Sequence, residues 1–479
     1  MSNLRKSLAL SFAQRNSTLV IQFVSSLIIA RLLTPHEVGI FSIGAVIVSF
    51  SHILRDMGVS NYVIQERELT RERIRSAQAI VWMTSLTLAF LLFAFSAWAG
   101  AFYAELGVTL TMRVLSINFL LLPVGSVTSA LLSREMAFGK LFVVNFMSAL
   151  TQAVSGIALA WAGFGFISLA WSAVASSVVA AVGMTICRQK DQPWLPGFRE
   201  WRRVFSAGSK LSATSIFNEI GLGGPELVTG RILGFEVVAY FSRGFGAGML
   251  ALRALVDSFL PVAIPYFAKQ ARSDNDLKEP YLRGVAYMSA LAIPAFSGLA
   301  IMAEPIILFL YGGQWLRAVL PLQIICTSMA FLAICNVSGS LLVGSGKIGS
   351  NLKIQMICQP LKVLLVVIGA FSDGLAGVAL GVAVGDIILA ISGFTIANRL
   401  IGVTATEFLL ALFPSFGIAL GCSGVCWGLM RVIDLDSILL KLFSVGACMA
   451  VTWIVGLFLL RHPMRQEVSG LLCLLKRES

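Results

Sequence analysis

Apolar stretches of about 20 residues, each long enough to cross a hydrocarbon core of ~30 Å, recur along the whole chain of 479 residues. They fall at roughly 11–34, 37–61, 76–100, 110–132, 141–162, 166–186, 211–233, 236–262, 283–303, 319–342, 352–371, 375–398, 409–430 and 437–460. Each is apolar around most of its circumference, as lipid-facing helices are. None shows the ten-residue alternation of a membrane β-barrel. The pattern predicts an all-α polytopic membrane protein with about 14 transmembrane helices.

Composition agrees with the pattern. The chain is 57% hydrophobic and 13% charged, against roughly 25% charged in soluble domains, and its mean hydropathy is +0.86. So much apolar side chain has no place in a soluble enzyme. The net charge is +12, from 36 Lys and Arg against 24 Asp and Glu. In a soluble chain that excess would point to nucleic acid, which is not an expected partner here, because the position of the charge matters more than its total. With the N-terminus cytoplasmic, 26 basic residues fall in cytoplasmic segments and five on the other side. That bias places both termini in the cytoplasm and favours an even number of spans. The first apolar run is long and polar-studded and lacks a small-residue cleavage site, so no cleavable signal peptide is expected. Cys422 and Cys426 share a helical face, but no second pair or nearby histidine completes a metal site.

No loop is long enough for a soluble domain. The longest polar stretch, 187–210, follows the sixth span, is basic, and holds Pro193, Trp194 and Pro196. It predicts a linker between a six-helix bundle at 1–186 and a second at 211–400, with two further helices and a cytoplasmic tail in 401–479. At an offset of 200, Arg31-Leu32-Leu33 matches Arg231-Ile232-Leu233, Val38-Gly39 matches Val238-Ala239, and Phe41-Ser42 matches Phe241-Ser242. Each copy closes one span with arginine and opens the next with an acid, Glu37 or Glu236. An even number of spans per copy relates the bundles by a pseudo-two-fold along the membrane normal.

Ionisable groups inside spans are costly unless they face a cavity or a partner. The seventh span carries Glu219 and Glu226, seven apart and on one face, around Gly221-Leu222-Gly223-Gly224-Pro225. This run is expected to bend or break the helix and free backbone carbonyls along a cavity. The eighth span carries Arg243, Arg253 and Asp257, the last two at the i,i+4 spacing of a local ion pair. Arg55 and Asp56 lie near the end of the second span and, being adjacent, point to separate partners. Lys362 and Asp386 lie near the middles of neighbouring antiparallel spans, which points to a buried pair. Arginine suits phosphate through its bidentate fork, so fixed cations along a polar path favour an anionic or pyrophosphate-bearing substrate. Catalytic constellations are not evident. His36, His52 and His462 are far apart, and Gly344-Ser345-Gly346-Lys347 lacks the rest of a phosphate-binding loop. The run from Glu66 to Arg73 is expected to form a short, solvated interfacial helix.

Several segments together resemble the polysaccharide transporter family within the multidrug/oligosaccharidyl-lipid/polysaccharide exporter superfamily. They are Ala30-Arg31-Leu32-Leu33-Thr34-Pro35-His36-Glu37-Val38-Gly39, Asp56-Met57-Gly58-Val59-Ser60-Asn61-Tyr62-Val63-Ile64-Gln65, and Pro265-Tyr266-Phe267-Ala268-Lys269. Tyr311-Gly312-Gly313-Gln314-Trp315 with Pro321-Leu322-Gln323, and Gly339-Ser340-Leu341-Leu342, complete the likeness. The last two spans carry no matching motif.

The resemblance implies two bundles facing across a central cavity. It also implies flipping of undecaprenyl-pyrophosphate-linked oligosaccharide across a bacterial inner membrane by alternating access, for surface polysaccharide export. A basic cavity for the glycan-pyrophosphate head, which the resemblance implies, agrees with Arg31, Arg231, Arg243, Arg253 and Lys362, read from the sequence itself as the expected substrate-binding cations. Glu219, Glu226, Asp257 and Asp386 are the expected ion-coupling or charge-balancing groups, and Arg55 with Asp56 the expected gate. No cofactor is expected beyond coupling to a proton or sodium gradient or to the membrane potential. Membrane lipids, a polysaccharide polymerase and glycosyltransferases are the expected partners. The rivals are a cation-coupled multidrug antiporter, which would favour an acidic cavity, and a membrane glycan polymerase or ligase, which would need a sizeable external loop.

Overall fold

In the computed structural model, residues 2–56, 58–189, 192–193, 195–273, 276–432 and 437–470 are described. Met57 of the second motif, Lys190 and Trp194 of the linker, and the tail beyond 470 lie outside them. Every element among the described residues is helical. The helices are α1 (Ser2–Leu32), α2 (Pro35–Asp56), α3 (Val59–Gln65), α4 (Arg71–Tyr103), α5 (Leu106–Ser116), α6 (Asn118–Arg134), α7 (Phe138–Trp161) and α8 (Ile167–Ile186). They continue with α9 (Trp201–Ile232), α10 (Phe235–Arg272), α11 (Lys278–Ile301), α12 (Ala303–Tyr311), a 3-10 turn (Gly313–Ala318), α13 (Val319–Gly344), α14 (Ile348–Ile401), α15 (Ala405–Val432) and α16 (Ile438–Leu459).

Eleven helical stretches among the described residues are long and apolar enough to cross a membrane. The longest, α14, is a hairpin: Asp373 and Gly374 leave the helical region, and Gly374 turns the chain at φ +54°. Gly369 faces Gly377, and Gly381 faces Leu365, so the two legs run antiparallel in close backbone contact. Counting both legs, and the polar-studded α1 and α9 at the first and seventh expected positions, agrees with the fourteen spans the pattern predicts. The chain is a multi-pass membrane protein.

The chain divides into two compact units, 1–239 and 240–479. In the first, α2, α4, α5 and α6 share a core of Ile40, Ile43, Val48, Leu92, Val108, Met112 and Phe119. Helix α2 opens with a capping box, in which Thr34 N and Oγ1 donate to Glu37 Oε2, both at 2.8 Å. Gly58, at φ +70°, ends the second span early and restarts it as α3.

Helix α9 does not break at its Gly-Pro run; it stays helical from Trp201 to Ile232. Its glycines serve close packing on α2 instead. A Cβ on Gly223 would stand 2.6 Å from Val46 Cγ1, and one on Gly230 would stand 2.5 Å from Ile43 Cδ1. Tyr103 Oη donates to Leu227 O at 3.1 Å, tying α9 to α4 as well. Thus α9, expected to open the second half, makes its contacts in the first unit.

In the second unit, hydroxyl contacts bind α11 to its neighbours. Tyr281 Oη meets Ser338 Oγ of α13 at 2.8 Å, and Ser289 Oγ meets Ser415 Oγ of α15 at 2.8 Å. Trp453 Nε1 of α16 donates to Ala290 O at 2.7 Å. Small cores around Ile418, Cys422 and Leu457, and around Cys426 and Val445, fix the last two helices onto this bundle.

Candidate functional site

A polar cleft in the second unit has a volume of about 310 Å³ and lies between α10, α13 and α14. Leu260, Ile264 and Leu332 supply apolar wall; Asn336, Ser340, Asn351 and Gln355 supply polar groups. Helical spacing puts them there. Asn336 and Ser340 stand one turn apart on α13, and Ser340 Oγ donates to Asn336 O at 2.8 Å. Asn351, Gln355, Gln359 and Lys362 follow one another along one face of α14. Gln359 Nε2 donates to Gln355 Oε1 at 2.7 Å, while Gln359 Oε1 is buried with no hydrogen-bond partner. Carboxamides present both donors and acceptors, so this stripe offers the complement of a hydroxyl-rich group.

The stripe ends on an ion pair. Lys362 Nζ lies 2.8 Å from Asp386 Oδ1 on the return leg, with the two side chains 4% and 2% exposed. Gly385 makes the approach feasible, since a Cβ there would stand 2.5 Å from Lys362 Cβ. The ammonium is therefore neutralised inside the protein and closed off from solvent.

The remaining expected residues are distributed as follows. Arg243 is half-buried, its Cζ 5.1 Å from the ring centres of both Tyr311 and Trp315, and Trp315 is fully buried. The Tyr-Gly-Gly-Gln-Trp motif thus forms a cap on this guanidinium, turned by Gly312 at φ +95°. Arg253 is exposed, and no ion pair joins it to Asp257, despite their i,i+4 spacing. Asp257 and Glu226 are half-buried and each has an interaction partner. Arg31 is exposed at the end of α1, and Arg231, exposed at the end of α9, lies 5.0 Å over the Phe102 ring. Ser49 Oγ of α2 donates to Glu219 Oε1. Asp56 accepts from Ser60 Oγ at 2.6 Å across the α2–α3 break, whereas Arg55 Nε is buried without a partner. Of the eleven, Lys362 and Asp386 are brought together as an ion pair, and Arg31, Glu226, Arg243 and Asp257 each have a further interaction partner.

The charge run from Glu66 to Arg73 is not a separate interfacial helix. Residues 66–70 form a connection, and α4 starts at Arg71 behind the N-cap Thr70. Arg73 is buried rather than solvated. Its Nε lies 3.0 Å from Glu200 Oε2 and its Nη1 3.5 Å from Glu66 Oε1, and it also donates to Glu68 O. Gly197 N donates to Arg75 O at 3.0 Å and Glu200 N to Ser76 Oγ at 3.1 Å. The end of the linker is therefore strapped to α4. Sequence reasoning missed this strap and the pair Asn336 and Asn351. The amide stripe was detectable from its i,i+4 repeat; the strap joins residues 127 apart and leaves no local signal.

A family described as polysaccharide biosynthesis protein matches residues 28–320. Lipopolysaccharide biosynthesis protein WzxC of Escherichia coli (strain K12) is 23% identical over 459 residues, covering 94% of this chain and 92% of its own. Succinoglycan biosynthesis transport protein ExoT of Rhizobium meliloti (strain 1021) is 24% identical over 343 residues, 70% of this chain and 68% of its own. Among solved structures, lipid II flippase MurJ in an inward closed conformation superposes with a TM-score of 0.72 at 11% identity, covering 96% of this chain and 99% of that one. At that identity the likeness is one of fold.

Proposed function

Because the chain belongs to the polysaccharide biosynthesis protein family, we propose that it is a flippase for a lipid-linked oligosaccharide. It carries undecaprenyl-pyrophosphate-linked repeat units from the cytoplasmic to the periplasmic leaflet by alternating access, and it is a transporter rather than an enzyme. The observation that carries the proposal is where the family match falls. Residues 28–320 run through the membrane helices themselves and not through an appended soluble domain. A polysaccharide-biosynthesis role that resides in membrane helices joined by short loops fits moving glycan across the bilayer better than polymerising it, which would need a sizeable external loop.

The physical obstacle is the sugar head, whose hydroxyls cost several kcal/mol each when unsatisfied in hydrocarbon. Side-chain amides such as Asn336, Asn351 and Gln355 supply replacement partners. Fixed arginines, with Arg31, Arg231, Arg243 and Arg253 as candidates, would hold the pyrophosphate through charge-assisted hydrogen bonds. Lys362 with Asp386, Glu219, Glu226 and Asp257 would balance charge or couple to a proton or sodium gradient or to the membrane potential, and Arg55 with Asp56 would gate. The setting is a bacterial inner membrane with both termini cytoplasmic, as the 26-to-five bias of basic residues supports. A polymerase and glycosyltransferases would act on either side of the step.

Reconstitution tests this. Proteoliposomes with the chain, loaded on one face with a labelled polyprenyl-pyrophosphate oligosaccharide, should expose the label to an enzyme on the opposite face faster than protein-free vesicles. Equal rates in the two would overturn the proposal.

A further inference from the structure

We propose that the groove between α4, α5 and α6 of the first unit is a binding site for an acidic glycerophospholipid, with Arg113 as the phosphate ligand. The groove has a volume of about 540 Å³ and is lined by Leu86, Phe90 and Phe93 of α4, with Ile117 and Leu120 across from them. Phe90 is 71% exposed and Phe93 54%, so the groove opens outward from the unit.

Arg113 is the charged residue in this lining. Its Nε donates to Ser96 Oγ at 3.2 Å, and its Cζ lies 5.2 Å from the Phe93 ring centre. These contacts hold the plane of the guanidinium and leave both Nη atoms without an acceptor among the described residues. No carboxylate pairs with it among the described residues. An oriented, exposed guanidinium that keeps its fork free is a bidentate site for phosphate.

Depth selects the ligand class. Arg113 is seven residues from the start of α5 and Ser96 seven from the end of α4, each about 10 Å along the axis. With a core of about 20 residues centred on α4, that level is the edge of the hydrocarbon at the end remote from the basic loops. Phospholipid phosphates sit at this edge. From Phe93, beside Arg113, the groove descends past Phe90 and Ala89 to Leu86, about 10 Å of helix at 1.5 Å per residue, with mostly apolar walls. Charge at the top and an apolar channel beneath match one phosphate and one acyl chain. On the charge bias of the loops this is the outer leaflet.

The test counts bound lipid on the full chain. The protein in mild detergent is equilibrated with micelles containing phosphatidylglycerol, phosphatidylcholine or a polyprenyl phosphate, and retained lipid is measured by native mass spectrometry. Wild type should retain one more phosphatidylglycerol than Arg113→Gln, with apparent affinity lowered about fivefold in the variant, the order expected for one arginine at a membrane surface. Phosphatidylcholine retention should be equal in the two. Leu120→Trp, which fills the channel from an exposed position and leaves the guanidinium intact, should lose the same lipid. Unchanged phosphatidylglycerol retention in either variant overturns the site. Dependence on Arg113 for polyprenyl phosphate alone overturns the assignment to glycerophospholipid.

Discussion

Lys362 and Asp386 meet across the α14 hairpin at 2.8 Å, each almost wholly buried. A pair of this kind contributes little net stability relative to an apolar pair, but removing one partner strands a charge and typically costs about 3–5 kcal/mol, a large part of the roughly 5–15 kcal/mol by which proteins are stable. Asp386→Asn is therefore expected to lower the thermal midpoint of the detergent-solubilised protein sharply. The double replacement Lys362→Met with Asp386→Leu should recover most of that loss. If the recovered protein no longer moves labelled lipid-linked glycan, the pair serves transport beyond holding the hairpin together. Full activity would make it structural.

The hairpin itself rests on glycine. A Cβ on Gly377 would stand 1.9 Å from Gly369 O, and one on Gly369 would stand 2.0 Å from Gly377 O. Neither atom can swing aside, because both belong to backbone. Gly377→Ala should force the legs apart and destabilise the protein by the 1–3 kcal/mol typical of overpacking. Gly424→Ala on α15, where a Cβ meets nothing within 4 Å, should be silent. Comparing the two midpoints separates close packing from a general dislike of alanine at helical glycines.

How far such features can be read in advance depends on sequence distance. The Lys362–Asp386 pair was legible because both residues lie at matching depths on consecutive antiparallel spans. The Gly221–Pro225 run was not, because glycine spacing alone is the same whether a helix breaks or a neighbour packs tightly; Val46 and Ile43, on another helix, decide it. Nor does Arg243 announce its aromatic cap, since Tyr311 and Trp315 reach it only through the folding of the second unit. Glu219 likewise finds Ser49 from 170 residues away. Span pattern and topology are local properties of the chain, whereas the environment of each embedded charge is tertiary.

The linker strap separates buried from exposed charge. Arg73 is 8% exposed and engages Glu66, Glu200 and a backbone carbonyl. The Arg199–Glu72 pair nearby has side chains 81% and 46% exposed, where ion pairs count for little. Arg73→Gln should release the 195–200 segment and speed its cleavage in limited proteolysis, while Arg199→Gln should leave the rate unchanged. Equal rates for wild type and Arg73→Gln would show that the strap is held by something else.

His462 gives the last two helices a pH-dependent anchor. It is fully buried just beyond α16. Met464 N donates to its Nδ1 at 3.2 Å, which assigns the proton of the neutral ring to Nε2, 3.3 Å from Ser415 Oγ. Ser415 in turn meets Ser289 of α11 at 2.8 Å. Burial holds the imidazole below its usual pKa of 6.5. The folded protein therefore binds this proton less readily than the unfolded chain does. Its stabilising effect is complete above about pH 6.5 and diminishes as pH falls through that value towards the depressed folded pKa, with a slope of at most about 1.4 kcal/mol per pH unit. Thermal midpoints measured from pH 7.5 down to 5 should fall in wild type, and the part of that fall due to His462 should vanish in His462→Asn, which keeps a hydrogen-bonding side chain at the site but does not titrate. Identical pH profiles for the two proteins would remove His462 from the anchor.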